Sequence, residues 1–117
     1  MKGKRGWGEI AENHAAQLLK KNGYKVLEKN FRNKVGEIDI IAQEEDTLVF
    51  VEVKARRSRK FGLPAEAVNA RKLYKIRRVG EYYLMTHPDS PQKQRIDVVA
   101  IEVQGDMVKS SKIIKVV

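Results

Sequence analysis

The chain has 117 residues, the size of one domain, and its 42% hydrophobic and 33% charged content is too apolar for a disordered chain and too charged for a membrane protein. The absence of cysteine excludes disulfides, thiolate zinc sites and cysteine nucleophiles, and leaves oxygen or imidazole to ligate any metal. With 24 basic and 15 acidic side chains the formal net charge is +9, a bias toward polyanions that puts nucleic acid first among expected partners, ahead of ribosomes or anionic lipid.

Residues 1–10 hold no apolar run of signal-peptide length, and no stretch approaches the roughly 20 residues needed to span a bilayer. A cytoplasmic protein without membrane contact, folded as a single domain over residues 1–117 around one hydrophobic core, is the expectation.

Trp7, Ile10, Ala11, Ala15, Leu18 and Leu19 recur at helical spacing and Gly23 follows as a C-cap, so the pattern predicts an amphipathic helix over Trp7 to Asn22. A short strand is predicted over Tyr24 to Glu28, followed by a basic connection through Asn30 and Arg32 to Lys34. Val35 to Gln43 and Leu48 to Lys54 are rich in β-branched residues, and Glu44 to Thr47 reads as a four-residue hairpin loop between them. A basic stretch, Arg56 to Lys60, then leads through Pro64 into a second helix. Leu73, Ile76, Val79, Gly80, Tyr83 and Leu84 line one face of that helix; Asn69 is an internal N-cap candidate and Pro88 closes it. Ile96 to Val103 reads as a strand covered on both faces, and Gly105-Asp106 turns into a last strand near Met107 to Val117. The element order is αβββαββ, an α/β domain.

Strand side chains alternate, so Glu37, Asp39 and Ile41 are expected on one face, and Ile38, Ile40 and Ala42 on the other. On the next strand Leu48, Phe50, Glu52 and Lys54 share a face opposite Val49, Val51 and Val53. If the hairpin closes with Gln43 opposite Leu48, Asp39 faces Glu52 and Glu37 faces Lys54. Two carboxylates about 5 Å apart repel by about 3 kcal/mol at an effective dielectric near 20. A bound Mg²⁺ or Mn²⁺ reverses that sign, because a hard ion takes carboxylate oxygens while keeping water and phosphate in its other positions. Lys54 would then stabilise phosphate charge or orient an attacking water. The same alternation also fits a solvated strand face with Glu37 and Lys54 as an ion pair, although Ile41 and Phe50 place the charges beside a covered apolar surface.

Gly36-Glu37-Ile38-Asp39 followed by Phe50-Val51-Glu52-Val53-Lys54 resembles the PD-(D/E)xK signature of restriction-endonuclease-like nucleases, with Ile-Asp in place of Pro-Asp. More closely, the chain resembles the bacterial YraN-type family through Glu12-x-x-Ala15, Gly23, Asn30-x-Arg32, those two strand motifs, Phe61-Gly62, Lys72 and Arg95-x-Asp97-Val98-Val99, a match over residues 8 to 103. Archaeal Holliday-junction resolvases are related. The resemblance implies a restriction-endonuclease-like mixed sheet flanked by helices and a magnesium-dependent nuclease for branched or structured DNA. By analogy with the resolvases it also implies a homodimer. It adds Glu12 to Asp39, Glu52 and Lys54 as a catalytic residue, with Asp39 and Glu52 as the metal ligands. The family's Gly-Glu is Ala11-Glu12 here, and its Arg-Phe-Asp-Val-Val is Arg95-Ile96-Asp97-Val98-Val99. Helix geometry favours Glu12 over Glu9, which lies opposite the apolar stripe.

Nucleic-acid contacts are expected from Arg32, from the Arg56, Arg57, Arg59 and Lys60 loop, and from a helical ridge of Arg71, Lys75 and Arg78. Lys72 lies on the inward edge of that helix, where it can approach the site. Asp97 either supports the site or pairs with Arg95. His14 is expected in helix packing and His87 in a loop. A catalytically silent DNA- or RNA-binding module on the same fold is the alternative function.

Overall fold

A computed structural model describes residues 2–57 and 68–116, with side chains from residue 8 onward. The Trp7 side chain, Pro64, Arg59 and Lys60 lie outside the described residues. The elements are α1 (Lys2–Lys21), β1 (Lys25–Arg32), β2 (Glu37–Glu44), β3 (Thr47–Arg56), α2 (Ala70–Thr86), β4 (Lys93–Gln104) and β5 (Met107–Lys115). The five strands form one sheet in the order β1-β2-β3-β4-β5. Every neighbouring pair is antiparallel except β3 and β4, which are parallel. A parallel neighbour requires a crossover, and the connection that makes it contains α2. No described helix is long and apolar enough to cross a membrane.

The expected single core is in fact two clusters, because a sheet apolar on both faces keeps the layers it covers apart. One contains Ala11, Ala15, Ala16 and Leu19 of α1 with Ile40, Ala42, Val49, Val51, Val99 and Ile101. The other contains Ile76, Val79 and Tyr83 of α2 with Ile38, Ile41, Leu48, Phe50 and Ile96. On α1, Ile10 is 54% exposed and Ala16 takes a place in the core instead, so three alanines form the seam against the sheet. Gly23, at φ +89°, ends the helix: its N–H bonds to the Lys20 carbonyl and the N–H of Tyr24 to that of Leu19, the Schellman pattern that glycine favours.

Asn69 caps α2, its side chain accepting the N–H of Lys72 at 2.9 Å. Gly80 lets this helix settle on the sheet, since a Cβ there would stand 2.5 Å from the Phe50 ring. The β2–β3 hairpin is tighter than expected. Glu44 still pairs with Thr47, leaving only Glu45 and Asp46 in the turn, with Glu45 at φ +54°.

The hairpin register is the expected one, with Gln43 opposite Leu48 and Ile41 opposite Phe50, but pairing stops at Ile40 and Val51. Asp39 and Glu52 are therefore not a ladder pair, and Glu37 does not face Lys54. Strict alternation fails at the same place, for Ile38 packs in the α2-side cluster together with Ile41. On the neighbouring strand Asn30 adopts φ +58°, and Phe31, paired with Ile38, packs against that same cluster. The end of the β1–β2 ribbon is thus rotated relative to β3.

Candidate active site

Where β2 leaves β3, Asp39 Oδ2 accepts the backbone N–H of Val53 at 2.8 Å. Among the described residues no hydrogen bond reaches Oδ1. Withdrawal from water pushes the Asp39 carboxyl up to about 7; the charge of Glu52 adds to this, the Val53 hydrogen bond opposes it, and Glu12 and Glu37 raise it further. The side chains from α1, β2 and β3 thus share one electrostatic neighbourhood.

Glu52 projects on the α2 side of β3, and its side chain is only 6% exposed. Two lysines offset its charge: Lys54 Nζ stands 3.7 Å and Lys72 Nζ 3.4 Å from Oε2. Lys54 reaches it from two residues along the same strand face. Lys72 reaches it from the first turn of α2, as its place on the inward helix edge suggested. Glu12 is half-buried on α1, at the rim of the apolar stripe, whereas Glu9 is exposed. Glu37 is bound instead to Arg32 at 3.3 Å, because the two face each other across β1 and β2. Among the described residues no three acidic or histidine side chains stand in an arrangement that could hold a metal ion unaided.

The basic residues divide. Arg56 is a strand residue and not part of the loop, since β3 continues through it; it is half-buried, and its Nε is buried with no hydrogen-bond partner among the described residues. Arg57 is exposed. Arg71 and Lys75 are exposed on α2, and Arg78 is half-buried, donating to the Tyr74 hydroxyl at 3.1 Å and standing 3.6 Å from Glu81. Tyr74 and Tyr82, not singled out from the sequence, alternate with these cations at helical spacing, the signal by which they were findable.

Asp97 lies on the other face of the sheet from Glu52. It is fully buried on the α1 side of β4, where Arg95 donates to it through Nε at 2.7 Å and Nη2 at 3.0 Å, and the Tyr24 hydroxyl at 2.6 Å. Arg95 also bonds to Glu44 at 2.6 Å. This hydrogen bond lowers the Glu44 carboxyl below its ordinary value, while burial and Asp97 raise the Tyr24 phenol. Asp97 pairs with Val51 in the β3–β4 register, one position from Glu52, but it shares the α1 face with Val51 and Val99, whereas Glu52 meets Lys72 on the α2 face. Its network with Arg95 and Tyr24 fastens β4 to the start of β1, and Arg95 carries it on to Glu44 of β2. His14 bonds through Nε2 to Ser111 Oγ at 3.0 Å, and His87 caps α2 with its ring stacked on Tyr83.

The sequence profile of "Uncharacterised protein family UPF0102" matches residues 11–101, a span that takes in both carboxylates, both lysines and the Arg95–Asp97 pair. Among relatives described as UPF0102 protein, that of Caldicellulosiruptor bescii is 50% identical over 99 residues, covering 84% of this chain and 83% of its own. That of Acetivibrio thermocellus is 48% identical over 113 residues, covering 94% and 87%. That of Syntrophomonas wolfei is 44% identical over 108 residues, covering 92% and 91%.

Proposed function

The chain belongs to the UPF0102 family, the YraN-type family its motifs resemble, and on that footing we propose that it is a metal-dependent nuclease hydrolysing phosphodiester bonds in structured or branched DNA. The observation that carries this reading is that, where β2 parts from β3, the Asp39 carboxylate is fixed on the N–H of Val53, the residue after Glu52, while the ammonium of Lys54 stands 3.7 Å from Glu52. The mixed five-stranded sheet with its α1 and α2 layers supports a restriction-endonuclease-like assignment as part of the same proposal.

The donor set suits a divalent cation: Asp39 and Glu52 offer hard oxygens, and Asp39 keeps Oδ1 without a hydrogen bond among the described residues. These two residues would hold Mg²⁺ or Mn²⁺, which supplies a Lewis acid for the phosphoryl oxygen and lowers the pKa of a bound water. Val53 fixes the Asp39 carboxylate through its N–H. Glu12 extends the acidic wall from α1. Lys54 places an ammonium where negative charge grows on the phosphate, and Lys72 holds Glu52 from the helix side. The net charge of +9 and the cations of Arg57 and α2 draw in the backbone of the substrate.

A silent nucleic-acid-binding module is the second reading, favoured by one feature: Lys54 and Lys72 already offset the charge of Glu52 without a metal. Incubation with duplex, single-stranded, flap and four-way DNA and structured RNA, with Mg²⁺ or Mn²⁺, separates the two. Metal-dependent cleavage of a DNA substrate is the expected result, and tight binding of the same panel without any cleavage selects the silent module. A homodimer in the cytoplasm completes the proposal, and sedimentation of the free protein tests its stoichiometry.

A further inference from the structure

The proposed function uses the outer side of α2 for its charge alone and leaves its aromatic residues without a role. Successive helical residues are separated by about 100°, so Arg71, Tyr74, Lys75, Arg78, Tyr82 and Met85 fall within one arc of about 100°. They face away from the buried Ile76, Val79, Gly80 and Tyr83. Tyr74 is 59% exposed, Tyr82 43% and Met85 75%. Isolated exposed apolar residues are ordinary, but two rings and a methionine on one stripe, interleaved with three cations, form a surface of mixed and specific character. Arg78 orders it, donating to the Tyr74 hydroxyl at 3.1 Å with its guanidinium 6.0 Å from the ring centroid.

The charge decides what fits there. A second copy of α2 would bring Arg71, Lys75 and Arg78 against their own like charges, and an uncharged apolar segment would offer no counter-charge to the exposed Arg71 and Lys75. A strand of unpaired nucleotides answers both halves of the stripe, phosphates to the cations and base faces to the tyrosines, whereas a duplex keeps its base faces inside the stack. Position agrees. Lys72, in the first turn of α2, has its Nζ 3.4 Å from Glu52, so the stripe, beginning at the adjacent Arg71, starts at the end of the helix nearest Glu52 and leads away for about 20 Å at 1.5 Å per residue.

We propose that the outer face of α2 is a stacking platform for unpaired nucleotides, with Tyr74 and Tyr82 as its base-stacking residues. Resting on the nuclease reading, it gives the substrate a single-stranded arm next to the bond that is cut. The test is equilibrium binding of the full chain, without divalent ion, to a duplex carrying a thymidine tail and to the same duplex with an abasic tail. Stacking is sequence-tolerant and contributes about tenfold per base, so the wild type should prefer the base-bearing tail by about a hundredfold. Tyr74→Ala and Tyr82→Ala should each remove about tenfold of that preference while leaving the salt dependence unchanged, and Tyr74→Phe and Tyr82→Phe should retain it. Equal binding of both tails by the wild type, or a preference that survives the double alanine variant, overturns the proposal. So does a free-protein dimer that the double variant dissolves, which would put a second copy on this face. A tail preference in a protein that cleaves nothing supports the platform and removes the nuclease reading.

Discussion

Asp39 Oδ2 accepts the Val53 N–H at 2.8 Å, the bond a strand carbonyl would make had the β2–β3 ladder continued past Ile40 and Val51. A side chain thus replaces the backbone as acceptor at the point where the strands part. The exchange fixes the carboxylate without spending both of its oxygens, and it holds Asp39 near Glu52 although the two are not register partners.

The Asp39 carboxyl, pushed up to about 7 by burial and by Glu52, makes stability depend on pH. Its folded value lies above the unfolded one, so its contribution is fully present below about 4 and is lost as the pH rises through about 7. The gap corresponds to at most about 4 kcal/mol. Asp39→Asn keeps an oxygen for Val53 and removes the charge, so it should be the more stable protein above pH 7 and show a flatter profile between pH 4 and 7. Denaturant midpoints across that range measure this; parallel profiles for the two proteins would remove the coupling.

Divalent metal should stabilise the native protein by binding to it alone. At a hundredfold excess over the dissociation constant the gain is about 2.7 kcal/mol, enough to raise the melting temperature by several degrees in a domain of this size. Mg²⁺ and Mn²⁺ should both do so, and Asp39→Asn and Glu52→Gln should each abolish the rise. A wild-type melting temperature indifferent to both ions counts against the ligand pair.

Lys54 should matter more for turnover than for binding. In Lys54→Met the apolar stem remains and Lys72 still stands beside Glu52, so the fold should persist. Single-turnover cleavage should slow by roughly a hundredfold to a thousandfold, while affinity measured in Ca²⁺ should fall only modestly, since many cations share the phosphates. Equal cleavage rates for variant and wild type would place the activity outside this site.

Arg95→Met should destabilise the chain by about 3–5 kcal/mol, because it strands the fully buried carboxylate of Asp97 with the Tyr24 hydroxyl as its one remaining side-chain donor among the described residues. Chemical denaturation reads the loss directly. The replacement should leave the metal-induced stabilisation in place, since Asp97 projects from the opposite face of the sheet to Glu52; loss of both together would tie the two faces of the sheet into one unit.

Much of the architecture was legible because it is local. Gly23 and Asn69 mark helix ends by backbone chemistry confined to a few residues, and the β-branched runs around a short turn predict the β2–β3 hairpin with its register down to Ile40. The shared face of Glu52 and Lys54 and the inward edge of α2 at Lys72 were readable in the same way, from periods of two and 3.6. Several features were not. Alternation assumes a regular ladder, so it could not foresee that β2 parts from β3 after Ile40, that Ile38 turns to the α2 side, or that Glu37 pairs with Arg32 in place of Lys54. Nor could it choose between the two readings of Asp97, whose second partner Tyr24, and Glu44 on the far side of Arg95, lie far along the chain and meet the pair only when β1 to β4 are assembled. Period and capping act between residues a few positions apart, and the sequence by itself determined what they govern. Which charges neutralise one another depends on desolvation and on contacts between distant segments, and only the tertiary structure decided that.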